Sequence, residues 1–263
     1  MNYEQKLKLV YEEACKFLGS KVSKHVLNKQ LNYYYNCRLK TVNDIFYQLI
    51  GSLKNKQSMP NSIGDINELK YYVFNFNPRK VNKIYENDWK ALFKKIKDNY
   101  IPPGPMDIKN ERSYWVIYVK GILSSAKFLS NFNSVKEFDK FVKSFFHNEF
   151  TIAALPMLLD KEIFGLGFSL ACDFLKELGY VQYGKPDVHI KDIFYELGLV
   201  SSRDDYEVFK TIVKIGYLVN KDPVIVDKIF WLIGSGKFYK SSIQIGRQKK
   251  EFIKMMQVKL KIK

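Results

Sequence analysis

In this 263-residue chain, the residues whose types and spacing suit acid–base chemistry are Asp187 and His189, within Lys185-Pro186-Asp187-Val188-His189. Asp187 directly precedes Val188, Ile190, Ile193, Phe194 and Leu197, which recur at helical spacing, so it stands at an N-cap position. There its side chain accepts backbone N–H groups, and the helix dipole is expected to favour its ionised form. Such a carboxylate stabilises positive charge developing beside it, or takes a proton from water. A structural N-cap worth about 1 kcal/mol accounts for the same residue types. His189, two residues on, reads as a group that orients a phosphate or the aspartate, or as a residue of the helix surface.

The elements that must position Asp187 lie just upstream, over Leu155–Gly179. Leu155, Leu158, Leu159 and Ile163 recur at helical spacing, and Gly165 and Gly167 break that helix. A second helical period runs through Leu170, Ala171, Phe174, Leu175 and Leu178, with Gly179 as its C′ stop. Glycines at 165 and 167 leave the N–H groups of Gly165, Leu166, Gly167, Phe168 and Ser169 uncovered at the positive end of the next helix. A phosphate backbone can approach that surface without a sequence-specific side chain. The same five residues also read as a plain turn between two packed helices.

Two linked motifs narrow the choice. Ile163-Phe164-Gly165-Leu166-Gly167-Phe168-Ser169-Leu170-Ala171 resembles the hairpin L-P-G-[VI]-G-x-[KS]-x-A of the helix-hairpin-helix DNA glycosylases, and Asp187 follows Ser169 by eighteen residues, as that family's catalytic aspartate does. The resemblance is strongest over residues 150–200. It implies an all-α fold of two helical lobes with a DNA-binding cleft between them, one lobe formed by residues 40–185 and the other by residues 1–39 together with 186–263. It further implies Asp187 as the catalytic residue, with Gly165, Leu166, Gly167, Phe168, Ser169 and His189 on DNA. The partner is then double-stranded DNA carrying a damaged or modified base, bound by a monomer.

One departure bears on the reaction. Family members that also cut the strand carry a lysine two residues after the second hairpin glycine, as a Schiff-base nucleophile. Ser169 stands there, and a hydroxyl cannot form an imine, so the resemblance implies a monofunctional enzyme in which water attacks. Lys120, Lys161 and Lys185 are the nearby lysines for a displaced nucleophile, or else are solvated or face phosphates. Some relatives hold an iron–sulfur cluster on four cysteines near the C-terminus. Cys15, Cys37 and Cys172 form no such set and no Cys/His pattern, so no metal and no cofactor are expected, apart from room for a monovalent cation at the hairpin.

The charge balance agrees with a polyanionic partner. Lys and Arg number 43 against 27 Asp and Glu, a formal net charge of +16, although richness in Lys, Asn, Ile and Tyr accounts for part of that excess. Three scattered thiols suit a reducing compartment, and neither a signal-like N-terminus nor an apolar run of about 18 residues is present. A cytoplasmic protein, nucleoid-associated if bacterial, with no membrane partner is expected. Two rival readings stand beside the glycosylase: a non-catalytic hairpin protein that only grips phosphates, and a helical interaction module whose charge is incidental.

The remaining chain reads as helical. Expected segments are Glu4–Leu18, Lys24–Tyr35, Thr41–Lys56, Ser62–Phe76, Val81–Ile96, Tyr114–Phe128, Ser134–Phe146, Tyr206–Val219 and Asp222–Ile233, with Ile101–Pro105 a surface loop. The tail from Gln248, which carries Lys249, Lys250, Lys254, Lys259, Lys261 and Lys263, fits a strand or an amphipathic helix. A flipped base would stack on aromatic groups. Phe46, Tyr47, Trp89, Trp115, Trp231 and the run Tyr33-Tyr34-Tyr35 are candidates, and the resemblance adds Gln57, at the end of an early helix that in the family faces the extruded nucleotide, or else a loop amide bonded to backbone. Of these, Phe46, Trp115 and Gln57 are assigned to the base pocket.

Overall fold

Capping residues fix most of the elements. In the structure, a computed structural model describing residues 1–36, 40–56 and 58–262, Asn2, Ser23, Thr41, Asn77, Asp88, Ser113, Ser134, Asn148, Asp187 and Asp204 each accept an N–H bond at a helix start. The helices are α1 (Tyr3–Lys21), α2 (Lys24–Leu31), α3 (Val42–Lys54), α4 (Met59–Ile63), α5 (Pro78–Tyr85), α6 (Trp89–Lys97), α7 (Tyr114–Leu129), α8 (Val135–Lys143), α9 (Glu149–Glu162), α10 (Gly167–Glu177), α11 (Val188–Glu196), α12 (Asp205–Val219) and α13 (Pro223–Ser235). A two-residue hairpin pairs β1 (Lys237–Phe238) with β2 (Ile243–Gln244), and α14 (Lys249–Leu260) follows. The fold is all-α, as expected. Among the described residues no helix is long and apolar enough to cross a membrane.

The chain divides into two compact units, Arg38–Phe174 and a discontinuous one of Met1–Cys37 with Leu175–Lys263. Each is built round one helix that is apolar on nearly every face, the pattern of a helix buried by its neighbours. In the continuous unit that helix is α7, packed against α3, α4, α5, α6 and α9. Its two large polar aromatics find partners inside the core: Tyr118 Oη donates to Ile50 O at 3.0 Å and Trp115 Nε1 to Ser62 O at 3.1 Å. Burial pushes the Tyr118 phenol well up.

In the discontinuous unit the central helix is α13, packed against α1, α11, α12 and α14. Leu7, Val10, Phe194, Phe230, Ile233, Phe252 and Met256 share its core. Pro223 opens α13 and Gly236, at φ +67°, closes it. A Cβ on Gly236 would lie 1.8 Å from Gly246 O, so the β-hairpin folds back over the helix end only with glycine there.

Several boundaries differ from the expected ones. α1 runs past Gly19 to Lys21, because nothing in its packing demands a stop there. Val81–Ile96 is two helices, since Glu86 adopts positive φ and Asp88 caps a new start. Ser62–Phe76 is mostly turns: α4 ends at Ile63, a 3₁₀ turn spans Ile66–Leu69, and Phe74, Asn75 and Phe76 all take positive φ. α2 stops at Leu31 and the tyrosine run forms a 3₁₀ turn. The Ile101–Pro105 loop is exposed at Ile101 yet pinned by the Gly104 N–H to Ser62 O at 3.0 Å. The tail is a helix, α14.

Candidate functional site

The hairpin sits in the continuous unit, between α9 and α10. Gly165 and Gly167 have φ of +78° and +68°, the left-handed region that a Cβ disfavours. A Cβ on Gly165 would also stand 3.0 Å from Ile117 Cγ2, whereas at Gly167 the space is open and only the backbone angle selects glycine. Leu166 is buried and Phe168 almost so, which anchors the turn from below, while Gly165, Gly167 and Ser169 keep partial exposure. Leu166 N–H donates to Ile163 O at 3.2 Å and Phe164 N–H to Ser124 Oγ at 2.9 Å. The first N–H groups of α10 follow directly and lack intrahelical acceptors by the geometry of any helix start.

Two α7 residues that the sequence pattern does not single out hold this turn in place. Ser124 supplies the acceptor for Phe164. Gly121 gives room for the turn itself, since a Cβ there would lie 2.9 Å from Phe164 O and 3.0 Å from Leu53 Cδ1. Their signal is only a Gly and a Ser inside a strongly apolar helix.

Beside the turn, Lys120 Nζ lies 4.8 Å from the Trp89 ring centre and 5.6 Å from that of Phe164, and 3.8 Å from Glu111. Trp89, Lys120, Lys127, Asn131 and the half-exposed Phe164 line a groove of about 320 Å³ there. Lys161 is exposed and pairs loosely with Asp160.

Asp187 belongs to the discontinuous unit, at the start of α11. Its Oδ1 accepts two N–H bonds, from His189 at 2.8 Å and Ile190 at 3.2 Å. Its Oδ2 has no hydrogen-bond partner among the described residues and is not enclosed. One oxygen is thus fixed by the helix and the other left open.

The expectation that the helix start favours the ionised form is corrected: the Asp187 pKa is raised above the ordinary carboxylate value. Burial is the largest cause and the nearby Asp227 carboxylate adds to it, outweighing the opposing pull of His189, the Ile190 N–H and Lys185. A raised pKa makes the ionised carboxylate a stronger base than a solvated one.

His189 is half-buried. Its imidazole packs on Gly234 of α13, where an added Cβ would meet His189 Cβ at 2.3 Å and Cγ at 2.4 Å. Nδ1 is buried without a partner among the described residues. Burial, with Lys249 and Arg247 nearby, lowers its pKa against the pull of Asp187 and Asp192, so the neutral ring is favoured.

Behind Asp187 lies a pair that sequence reasoning missed. Asp227 of α13 and Lys176 of α10, both fully buried, meet at 3.3 Å, and Asp227 Oδ2 also accepts the Lys185 N–H at 3.0 Å. Lys176 Nζ lies 5.7 Å from the Tyr34 ring centre, and Lys228 lies 5.2 Å from the same ring. A lysine and an aspartate inside helices carry no sequence signal that separates them from surface charges.

The expected base-pocket residues fare differently. Phe46 and Trp115 have no exposed surface and are core residues of the continuous unit, so neither offers a face to a base. Gln57 lies outside the described residues. In the tyrosine run Tyr34 is buried, the exposed Tyr35 donates its Oη–H to Asp222 at 2.5 Å, and Lys240 lies over the ring of Tyr33.

No protein-family model matches the chain, and no curated protein matches it. Two solved structures do. One is an 8-oxoguanine DNA glycosylase of Methanocaldococcus jannaschii, with TM-score 0.57 and 18% identity over 90% of this chain and 99% of that one. The other is an 8-oxoguanine glycosylase/lyase of the same organism in complex with a 15mer DNA containing 8-oxoguanine, with TM-score 0.52 and 19% identity over 88% and 98%. From end to end of those two proteins, this chain shares their all-α fold.

Proposed function

We propose that this protein is a monofunctional DNA glycosylase: it binds duplex DNA holding a damaged or modified base, takes that nucleotide out of the stack and hydrolyses its N-glycosidic bond. The observation that carries the reading is the Asp187 carboxylate, with one oxygen tied to two helix amides and the other open, under a pKa raised by burial. The left-handed glycine turn at Gly165–Gly167 and the formal charge of +16 support DNA as the partner.

In the proposed reaction, water adds to C1′ of the sugar as the bond from C1′ to the base nitrogen breaks. Positive charge gathers on the sugar during departure, and the Asp187 carboxylate stabilises it electrostatically. Its open Oδ2 accepts the water proton, and the leaving base takes up a proton in turn. The products are a free base and an abasic site in an uncut strand, because Ser169 stands where a lysine would be needed for an imine. Neither a metal nor a redox cofactor enters these steps, and a monovalent cation has a place only at the hairpin carbonyls.

Incubation with duplexes bearing oxidised, alkylated, mismatched or hypermodified bases tests the reading, with free base read by mass spectrometry. The solved neighbours put 8-oxoguanine first in that panel. The expected result is release of one base class, with strand breaks appearing only after heating in alkali. Cleavage without alkali would refute the role given to Ser169, and no release from any duplex would refute the enzyme. Duplex affinity is expected to fall with salt, log K declining against log salt by about 0.9 per phosphate contacted.

A further inference from the structure

We propose that Asp227 is a positioning residue for the reacting carboxylate, holding from below the loop that delivers Asp187 while Lys176 balances its charge; this rests on Asp187 being the reacting group. Three observations carry it. First, Asp227 Oδ2 accepts the N–H of Lys185, two residues before Asp187, at 3.0 Å. Second, the loop is pressed onto α12 and α13 so closely that a Cβ on Gly184 would stand 2.6 Å from Ile212 Cγ2, 2.9 Å from Pro223 O and 3.3 Å from Asp227 Cβ. The Val224 N–H to Val181 O bond, 3.1 Å, closes the same seam.

Third, Asp227 is a costly residue to keep there. It has no exposed surface, and its Oδ1 is enclosed without a partner among the described residues. A buried carboxylate oxygen left unpaired is unfavourable, and a buried ion pair is seldom better than an apolar pair of equal volume. Groups that break such local rules concentrate where function requires them.

The charges around Asp187 come from each neighbouring element. Asp227 faces it from α13, Lys185 from the loop and His189 from α11, while Lys176 of α10 faces Asp227. The charges of Lys249, Arg247 and Asp192 also act on His189. The Asp227 charge raises the Asp187 pKa, against the pull of His189 and Lys185. The arrangement does two things: it fixes the loop through an amide, and it keeps a like charge close enough to make Asp187 more basic.

Both roles can be separated. Asp227→Asn alone removes the charge that meets the buried Lys176 at 3.3 Å and perturbs the core, so the working variants are Asp227→Asn/Lys176→Met, which keeps an acceptor for the Lys185 N–H, and Asp227→Ala/Lys176→Met, which removes it. Single-turnover base release against pH and the carboxyl titration of Asp187 by carbon NMR are measured on both, beside the parent and Asp187→Asn. Expected for the Asn/Met protein is a plateau rate lowered less than that of the Ala/Met protein, since the loop stays held while Asp187 loses basicity, with the acid limb and the NMR midpoint both moved to lower pH. The Ala/Met protein is expected to lose about tenfold or more of the plateau with DNA affinity kept, as a displaced catalytic group does. A parental midpoint in the first variant together with a parental plateau in the second would overturn the proposal. Should Asp187→Asn itself keep base release, Asp187 is not the reacting group and that reading fails on its own, while the NMR midpoint still decides whether Asp227 acts on Asp187.

Discussion

Asp187→Asn is expected to slow base release by about 10²–10⁴-fold while DNA binding is kept or strengthened. Asparagine caps a helix as well as aspartate, and its Oδ1 can accept the same two amides from His189 and Ile190. What disappears is the charge on the open oxygen. Because that charge is raised in energy by burial and by Asp227, its removal also stabilises the fold.

The sign follows from the direction of the shift. A carboxyl whose pKa is higher folded than unfolded favours folding at low pH, and this contribution is lost as pH climbs through the folded-state pKa. The variant lacks that loss. Its melting temperature should match the parent's below the ordinary carboxyl value of 3.8 and exceed it increasingly until the pH passes the raised value. Thermal melts across that range, with single-turnover rates at neutral pH, check both halves. Parental base release in the variant would remove Asp187 from the reaction, and a melting advantage that shrinks with rising pH would contradict the raised pKa.

Gly234→Ala is expected to cost about 1–3 kcal/mol of stability and to slow base release by about 10²-fold. The new Cβ would stand 2.3 Å from His189 Cβ, an atom fixed by the α11 backbone that cannot swing aside. Relief requires α11 to move off α13, and the first turn of α11 carries Asp187. Gly19→Ala is the matched control. It lies inside α1 with nothing within 4 Å of the added atom, so it should gain up to about 1 kcal/mol through helix propensity. Differential scanning calorimetry and the same rate assay read both variants. Equal stability for the two would show that the α11–α13 contact yields without cost.

The glycine turn and the Asp187 cap were legible in the sequence for a local reason. Positive φ and N-cap geometry are demands on single residues, and Gly165, Gly167 and Asp187 state them in their own chemistry. The helical periods of α7, α12 and α13 were legible because each is long and apolar. What escaped reading depends on neighbours distant in the chain. The α5–α6 break turns on Glu86 taking positive φ, and the turns before Asn77 on three consecutive residues doing so, which no composition signals. Trp115 and Phe46 look like stacking groups in sequence and are core because α3 and α7 pack together. The raised pKa of Asp187 was illegible for the same reason, since the helix start is written locally and Asp227 is forty residues away.

The discontinuity of the Asp187-bearing unit sets an order on biosynthesis. Helix α1 leaves the ribosome early with Leu7, Val10, Ala14, Phe17 and Leu18 uncovered, yet α12 and α13, which bury that face, are translated roughly 10–40 s later. In the interval the intervening unit, continuous in the chain, is expected to fold first while α1 waits with that face uncovered. Force profiling of stalled nascent chains should register one folding event once residue 174 has cleared the exit tunnel and a second only after α13 has done so. A single late event would mean that the continuous unit depends on the other for its stability.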